Sequence, residues 1–182
     1  MFEKIRKMKN QKGFTLVELI VVLVILAILA ALLVPALTGY IDKANKEKVI
    51  ATTRMVVMAA QTEASEKYGL KADGKLSDKI VLTMNTTGSN VVLTPEKKGD
   101  VPAGEMDGIN IGNIAVLAEV AKIKTPATTT ADAEYEFVNG VTEITVQIDT
   151  KGHVTQTTVK QSNFTCTYTA SPKDGEDKYK VE

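Results

Sequence analysis

The chain is poor in the residues that usually pin small domains or build reactive sites. It has one cysteine, Cys166, one histidine, His153, and no tryptophan among 182 residues. A single cysteine excludes a disulfide within the chain, so any folded part must be held by its own core and by neighbouring molecules. A single histidine without nearby cysteines offers no metal-binding set. We expect Cys166 to lie in the core as a small apolar residue, and His153, which follows a turn glycine, to lie at the surface.

The chain has no excess of charge of either sign, because 22 basic residues balance 22 acidic ones. The balance is uneven: residues 1–13 hold five of the basic groups and one acid, which leaves 17 basic and 21 acidic groups in the remainder. A chain cut after Gly13 is therefore mildly acidic, by about four charges. This argues against nucleic acid as a partner, since such a surface needs a basic stripe.

A long apolar run follows the basic leader. From Leu19 to Leu37 the chain has 19 residues without a charge, which as a helix would measure roughly 28 Å, close to the thickness of a bilayer core. The run exceeds the apolar part of a secretory signal peptide, and no small-residue cleavage site follows it. We therefore expect a membrane helix that is retained, with its N-terminus in the cytoplasm because of the positive leader.

Helical periodicity continues beyond this run. A mainly apolar stripe continues with residues spaced three, four or seven apart: Leu37, Ile41, Ala44, Ala51, Met55, Met58 and Thr62. This spacing predicts that one helix continues to about Gly69, and that this stripe packs on the rest of the domain.

Two residues in the first half of the helix need an explanation. Pro35 predicts a kink or local melting, or is a tolerated membrane proline. Glu18 is a lone acid at the edge of an apolar segment.

The residues KGFTLVE, at 12–18, resemble the class III signal of type IV prepilins. The resemblance covers about residues 4–65, through the basic leader, the G-F-T-x-x-E box, the apolar run and the amphipathic continuation. It implies that a prepilin peptidase cuts after Gly13 and that the new terminal residue, Phe14, is N-methylated. It also implies that Glu18 pairs with the Phe14 amine of an adjacent subunit, and that the helix unwinds ahead of Pro35 in the filament. Ala27 stands where many members carry a helix-weakening glycine.

Glu18 has a second explanation from the residues alone. An acid in the first turn of a helix can satisfy its free N–H groups, and the two roles are compatible. The chain can form no internal disulfide and has no calcium-loop pattern. In both respects it resembles pilins of Gram-positive type more than the Gram-negative members.

From Leu70 onward the composition changes and predicts a sheet. We expect strands at Ile80–Met84 and Asn90–Thr94, and a short helix within Ile109–Ile123. An antiparallel meander should follow, at Tyr135–Val138, Glu143–Ile148, His153–Val159 and Asn163–Tyr168, with Asn139-Gly140 as its first hairpin turn. The overall class is α+β, with the helix packed on the sheet. The expected organisation is leader 1–13, apolar helix 14–37, amphipathic half 38–69, variable region 70–133, antiparallel sheet 134–170 and a charged, mobile tail 171–182.

Two classes of function are compatible with this organisation. The resemblance implies a non-enzymatic structural subunit without cofactors, inserted in the membrane and then polymerised into a surface filament for adhesion, motility or biofilm. Its partners would be further copies of itself, the peptidase, an assembly ATPase and a membrane platform protein. The alternative within this class is a pseudopilin of a type II secretion or DNA-uptake system. A membrane-anchored enzyme or sensor has no supporting motif, since the sequence lacks a nucleophile elbow, a His/Cys/Asp cluster and a phosphate loop.

Overall fold

The computed structural model describes residues 13–71, 76, 79–87, 90–94, 105–127 and 133–182. The leader, except for Gly13, and parts of the variable region predicted over 70–133 lie outside these residues. The chain divides into two units, Met1–Lys43 and Ala44–Glu182. Helix α1, Leu16–Leu70, begins in the first unit and ends in the second, as the periodicity predicts.

The first unit contains the apolar part of α1. Every described residue of this unit is exposed, including large apolar side chains such as Leu19 and Leu33, which are 54% and 65% exposed. The helix is long and apolar enough to cross a membrane. It runs through Pro35 without interruption, and the Thr38 hydroxyl donates a hydrogen bond to the Pro35 carbonyl at 2.9 Å. Unwinding ahead of Pro35 in a filament stays a prediction, because the segment is helical in this chain.

In the second unit α1 packs on the sheet through a stripe of small residues. The buried positions are Val49, Thr52, Thr53, Val56, Ala59, Ala60 and Ala64. Alanine and threonine allow the helix backbone to approach the sheet closely. The two buried hydroxyls donate to the carbonyls one turn earlier, Thr52 to Lys48 at 3.0 Å and Thr53 to Val49 at 2.7 Å, so they are not left unpaired.

The stripe predicted from the sequence is therefore wrong as the packing face. Ala51 and Thr62 are exposed, and Met55 and Met58 remain 38% and 62% exposed. Both stripes have helical spacing, so periodicity cannot choose between them. Side-chain size decides which stripe packs on the sheet, since the bulky methionines of the predicted stripe would hold the helix away from it.

A six-stranded antiparallel sheet carries the core. Its strands are β1 Ile80–Thr87, β2 Asn90–Thr94, β7 Val141–Ile148, β8 Val154–Gln161, β9 Phe164–Thr169 and β10 Tyr179–Val181. Their order across the sheet is β10-β9-β8-β7-β1-β2. Alternate residues point to the core, as Ile80, Leu82 and Met84 do on β1, each fully buried. The α+β class and the helix-on-sheet arrangement are confirmed.

The first strand of the predicted meander joins a different sheet. β6, Glu134–Phe137, pairs with β5, Ala121–Thr125, instead of with β7. The turn itself forms, with positive φ at Asn139 (58°) and Gly140 (78°). However, the Val138 N–H donates to the Val120 carbonyl at 2.9 Å, which commits the strand before the turn to β5. The prediction of one sheet over 134–170 is corrected accordingly: the main sheet omits β6 and gains β1, β2 and β10.

The predicted helix over Ile109–Ile123 is shorter than expected. Helix α2 is Ile111–Leu117, and its N-cap is Asn110, whose side chain accepts hydrogen bonds from the N–H groups of Gly112 and Asn113. Glu119 takes a positive φ of 56° after the helix ends, and the chain then enters β5. The short strands β3, Glu105–Met106, and β4, Ile109–Asn110, precede α2 as a hairpin.

The C-terminal segment predicted to be mobile contains strand β10. Tyr179 and Val181 pair with Tyr168 and Cys166 of β9. The rings of Tyr168 and Tyr179 are 5.1 Å apart, and the Arg54 guanidinium lies 5.1 Å from the centre of the Tyr179 ring. Aromatic and cation–π contacts therefore anchor a segment whose composition is mainly charged.

Candidate processing and assembly site

The junction between Gly13 and Phe14 lies ahead of the helix. Residues 13–15 have no regular secondary structure, and Phe14 is 80% exposed. A Cβ added to Gly13 would meet no atom within 4 Å. The peptide bond predicted for cleavage is therefore accessible, and no contact among the described residues requires glycine there.

The first turn of α1 is closed by a reciprocal cap between Thr15 and Glu18. The Thr15 hydroxyl accepts a hydrogen bond from the Glu18 N–H at 3.2 Å. In return, the Glu18 carboxylate accepts from the Thr15 N–H at 2.9 Å and from the Thr15 hydroxyl at 2.7 Å. This is a capping box, in which an N-cap hydroxyl and an acid three residues later satisfy otherwise free N–H groups.

The cap confirms the second explanation of Glu18, in which its carboxylate satisfies a free N–H group at the start of the helix. In the uncleaved chain the carboxylate is held by Thr15, and Phe14 has no free amine. The pairing of Glu18 with a Phe14 amine stays a prediction, because that amine arises only on cleavage. Thr15 was missed as a functional residue, although the spacing T-x-x-E at 15–18 is a recognised capping signal.

The surface that would assemble is the apolar run itself. Large apolar side chains from Leu19 to Leu37 are about half to two-thirds exposed, and an apolar surface of this size is typical of a segment that contacts lipid or another protein. Glu18 is the one acidic residue in the first turn. The structure thus brings Gly13, Phe14 and Glu18 to the end of this run, while Pro35 lies inside it.

The titratable residues of the second unit point to structural roles. Cys166 is fully buried, and burial raises the pKa of its thiol, which disfavours the reactive thiolate. His153 is exposed, with its ring 3.5 Å from the Asp149 carboxylate. Both predictions, a core cysteine and a surface histidine, are confirmed.

Asp149 organises the turn between β7 and β8. Its carboxylate accepts hydrogen bonds from the N–H groups of Lys151 at 2.9 Å and His153 at 2.8 Å. Partial burial acts to raise the pKa of this carboxyl, but these hydrogen bonds outweigh it and hold the pKa below its ordinary value. Among the described residues no three His, Cys, Asp or Glu side chains are grouped to hold a metal ion.

Comparison with known proteins locates one match. The model of the prokaryotic N-terminal methylation motif matches residues 8–34. Neither the curated proteins nor the solved structures gave a match. The motif and a helix able to span a membrane fit a membrane-anchored precursor, and such a motif implies a structural subunit rather than an enzyme. The chain thus carries, at residues 8–34, the N-terminal methylation motif that is the class III signal peptide of type IV pilins.

Proposed function

We propose that this chain is the precursor of a type IV pilus subunit, cleaved after Gly13 and N-methylated at Phe14. The observation that carries the proposal is the methylation motif at residues 8–34, which leads into a helix whose apolar side chains from Leu19 to Leu37 are all exposed. The subunit first resides in the cytoplasmic membrane with its N-terminus inside. It is later extracted into a filament outside the cell.

Polymerisation follows from the fate of the apolar run once it leaves the lipid. Burial of apolar surface is favourable by about 25 cal/mol per Å², so a free helix of this composition is unstable in water. Copies of the same helix are the available apolar partners. A helical homopolymer therefore buries the surface that the membrane covered before.

Cleavage supplies the group that sets the register of this polymer. Removing the leader creates an amine on Phe14, with a reference pKa of about 7.7–8.0. An unpaired charge in an apolar bundle is costly, whereas a carboxylate beside it offsets most of that cost. Glu18 of a neighbouring copy is the acid available for this, once it exchanges Thr15 for the amine.

The machinery implied is a prepilin peptidase, an assembly ATPase and a membrane platform protein. The lack of a disulfide supports a pilus of Gram-positive type, where adhesion, motility or biofilm would be the filament's task. A pseudopilin of a secretion or DNA-uptake system is the second candidate, because the methylation motif is common to both kinds of subunit.

Electron microscopy of cells that express the full chain with this machinery tests the proposal. Long filaments in the sheared surface fraction, labelled by an antibody to residues 133–182, are the expected result. Short assemblies confined to the cell envelope would favour the pseudopilin. Chain that stays uncleaved and membrane-bound despite active machinery would contradict both.

A further inference from the structure

A row of threonines crosses the main sheet on the face opposite α1. The strand register places one threonine from each of β2, β1, β7, β8 and β9 side by side, and the next position, on β10, is Lys180. On β1, β7, β8 and β9 the threonine stands between two residues that face the core, so alternation points it away from the core. We call these residues the threonine row: Thr94, Thr83, Thr145, Thr158 and Thr167.

The hydroxyls of this row lie close to one another and are accessible. The hydroxyl oxygens of Thr83 and Thr145 are 3.2 Å apart, and those of Thr158 and Thr167 are 3.4 Å apart. All five threonines are at least partly exposed. A hydroxyl donates one hydrogen bond and accepts two, so each pair keeps capacity for a ligand. With neighbouring strands about 4.8 Å apart, the row is a line of hydrogen-bonding groups roughly 19 Å long.

Strand propensity explains the frequency of threonine on this face but not its register. Threonine is a good strand former on an exposed surface, and that preference does not depend on which residue stands opposite. The rows on either side are mixed in chemistry: one holds Val81, Gln147, Gln156 and Thr169, and the other holds Asn85, Glu143, Lys160 and Thr165. The threonine row alone repeats one uncharged, hydroxyl-bearing residue across five strands.

The row ends at a cavity of about 430 Å³. Thr167 belongs to both, and the cavity is completed by residues of the segment before β10 and of its end. Lys180 and Glu182 form an ion pair there at 2.6 Å, and the carboxylates of Glu176 and Asp177 are further hydrogen-bond acceptors. This volume lies in the range of small-ligand sites, in which a few polar groups orient the ligand.

We propose that the threonine row and this cavity bind a linear, uncharged polysaccharide, with the chain along the row and one end in the cavity. Each sugar unit offers hydroxyls that donate and accept, as the threonines do, and the units repeat along a line. In the cavity, the carboxylates accept hydrogen bonds from sugar hydroxyls. The inference goes beyond the proposed function, because one unassembled chain carries the whole surface within its second unit.

Other occupants fit the row less well. Nucleic acid is bound through a basic stripe, whereas the row carries no charge and the cavity holds more carboxylates than ammonium groups. An apolar helix or a membrane would need large apolar side chains, and the row has none. An added peptide strand pairs with the edge of a sheet, whereas this row lies on its face.

Calorimetric titration of the full chain tests the proposal, in a detergent without sugar groups. The probes are three uncharged hexasaccharides: cellohexaose, mannohexaose and chitohexaose. We expect at least one to bind, and the disaccharide of the same sugar to bind at least about tenfold more weakly, because it leaves most of the row without hydrogen bonds. No measurable binding of any of the three at millimolar concentration would overturn the proposal.

Threonine-to-valine substitution tests the row itself. Thr145→Val and Thr158→Val keep the branched shape and the strand preference but remove one hydroxyl each. Each should weaken hexasaccharide binding about fivefold, the effect of one lost hydrogen bond, at an unchanged melting temperature. Thr62→Val is the matched control, because Thr62 is exposed on α1 outside the row, and it should bind normally. Equal affinities in all three variants would overturn the role of the row.

The cavity and the class of ligand have separate tests. Glu176→Ala combined with Asp177→Ala should weaken hexasaccharide binding, and undiminished binding would overturn the role assigned to the cavity. Tighter binding of a charged hexamer, of galacturonic acid or of glucosamine, would overturn the choice of an uncharged ligand. Because these measurements use the unassembled chain, a failure to form filaments would contradict the proposed function and leave this inference standing.

Discussion

Thr15 and Glu18 satisfy each other across the first turn of α1, with the carboxylate 2.7 Å from the Thr15 hydroxyl and 2.9 Å from its N–H. The acid that the resemblance assigns to assembly thus has a partner in its own chain before cleavage. In the function that we propose, capping and assembly are two successive uses of one carboxylate. They can be separated because capping needs only an oxygen acceptor, whereas pairing with an amine needs charge.

Glu18→Gln is expected to abolish assembly while leaving the helix start intact. The amide keeps an oxygen for the Thr15 N–H but loses the negative charge that a buried Phe14 amine requires. The measurements are filament yield and N-terminal processing. Thr15→Ala is the matched control, since it weakens the cap and retains the charge, and it should assemble. Normal numbers of normal-length filaments from Glu18→Gln would refute the charge-pair account.

Gly13→Val is expected to block leader removal. A Cβ at Gly13 meets nothing within 4 Å, so the chain itself tolerates the larger residue. Any loss of cleavage must therefore come from recognition by the peptidase, whose pocket we expect to be sized for glycine. The ratio of precursor to mature chain on an immunoblot measures it. Mature protein appearing at the normal rate would contradict this prediction.

The sheet is expected to depend on one glutamine of the helix. The Gln61 side chain accepts from the Val154 N–H at 3.0 Å and donates to the Gly152 carbonyl at 2.8 Å. Gln61→Met keeps the volume but leaves both backbone groups without these bonds, at a cost of about 1–3 kcal/mol. Urea unfolding of the domain measures the change, with Glu66→Gln at an exposed position as the control. A loss below about 0.5 kcal/mol would show that the two bonds do not anchor the β7–β8 turn.

Domain stability is expected to fall in acid through Asp149. Because its folded pKa is lowered, the carboxylate stabilises the fold above the unfolded pKa, near 4, and this contribution is lost as the pH falls through the lower folded value. Melting temperatures between pH 6 and pH 2.5 measure it. Asp149→Asn should be less stable at pH 6 and should lose part of the acid dependence. Parallel curves for the two proteins would contradict the assignment.

Cys166 is expected to resist alkylation in the folded domain. Its side chain is buried and the raised pKa disfavours the thiolate, so a maleimide should react only as the domain unfolds. Labelling followed by mass spectrometry in increasing urea measures the reaction. Rapid modification without denaturant would show that the β9 core face is open.

Sequence patterns identified the elements more reliably than their partners. The apolar run is a local signal, and the structure contains the helix that it indicates. The T-x-x-E spacing is equally local, although the cap formed by Thr15 was not predicted from it. The strands around Ile80 and Ile144 were both predicted, and in the structure each buries alternate residues, as a sheet with one covered face requires.

The errors arose where a local pattern allowed two tertiary solutions. The Asn139-Gly140 turn forms, but the strand before it pairs with β5, and no turn residue encodes that choice. Helix α1 has two stripes of equal spacing, and the one with Val56 and Ala60 packs on the sheet because small residues fit there, while Met58 stays outside.

Cleavage after Gly13 is expected to create a methylated Phe14 amine for assembly. Mass spectrometry of the N-terminal peptide, taken from protein sheared off the cell surface, measures this. We expect a peptide that begins at Phe14 and carries one added methyl group. A chain that begins at Met1, or at a residue beyond Leu37, would contradict it, because neither presents a Phe14 amine for Glu18 to pair with.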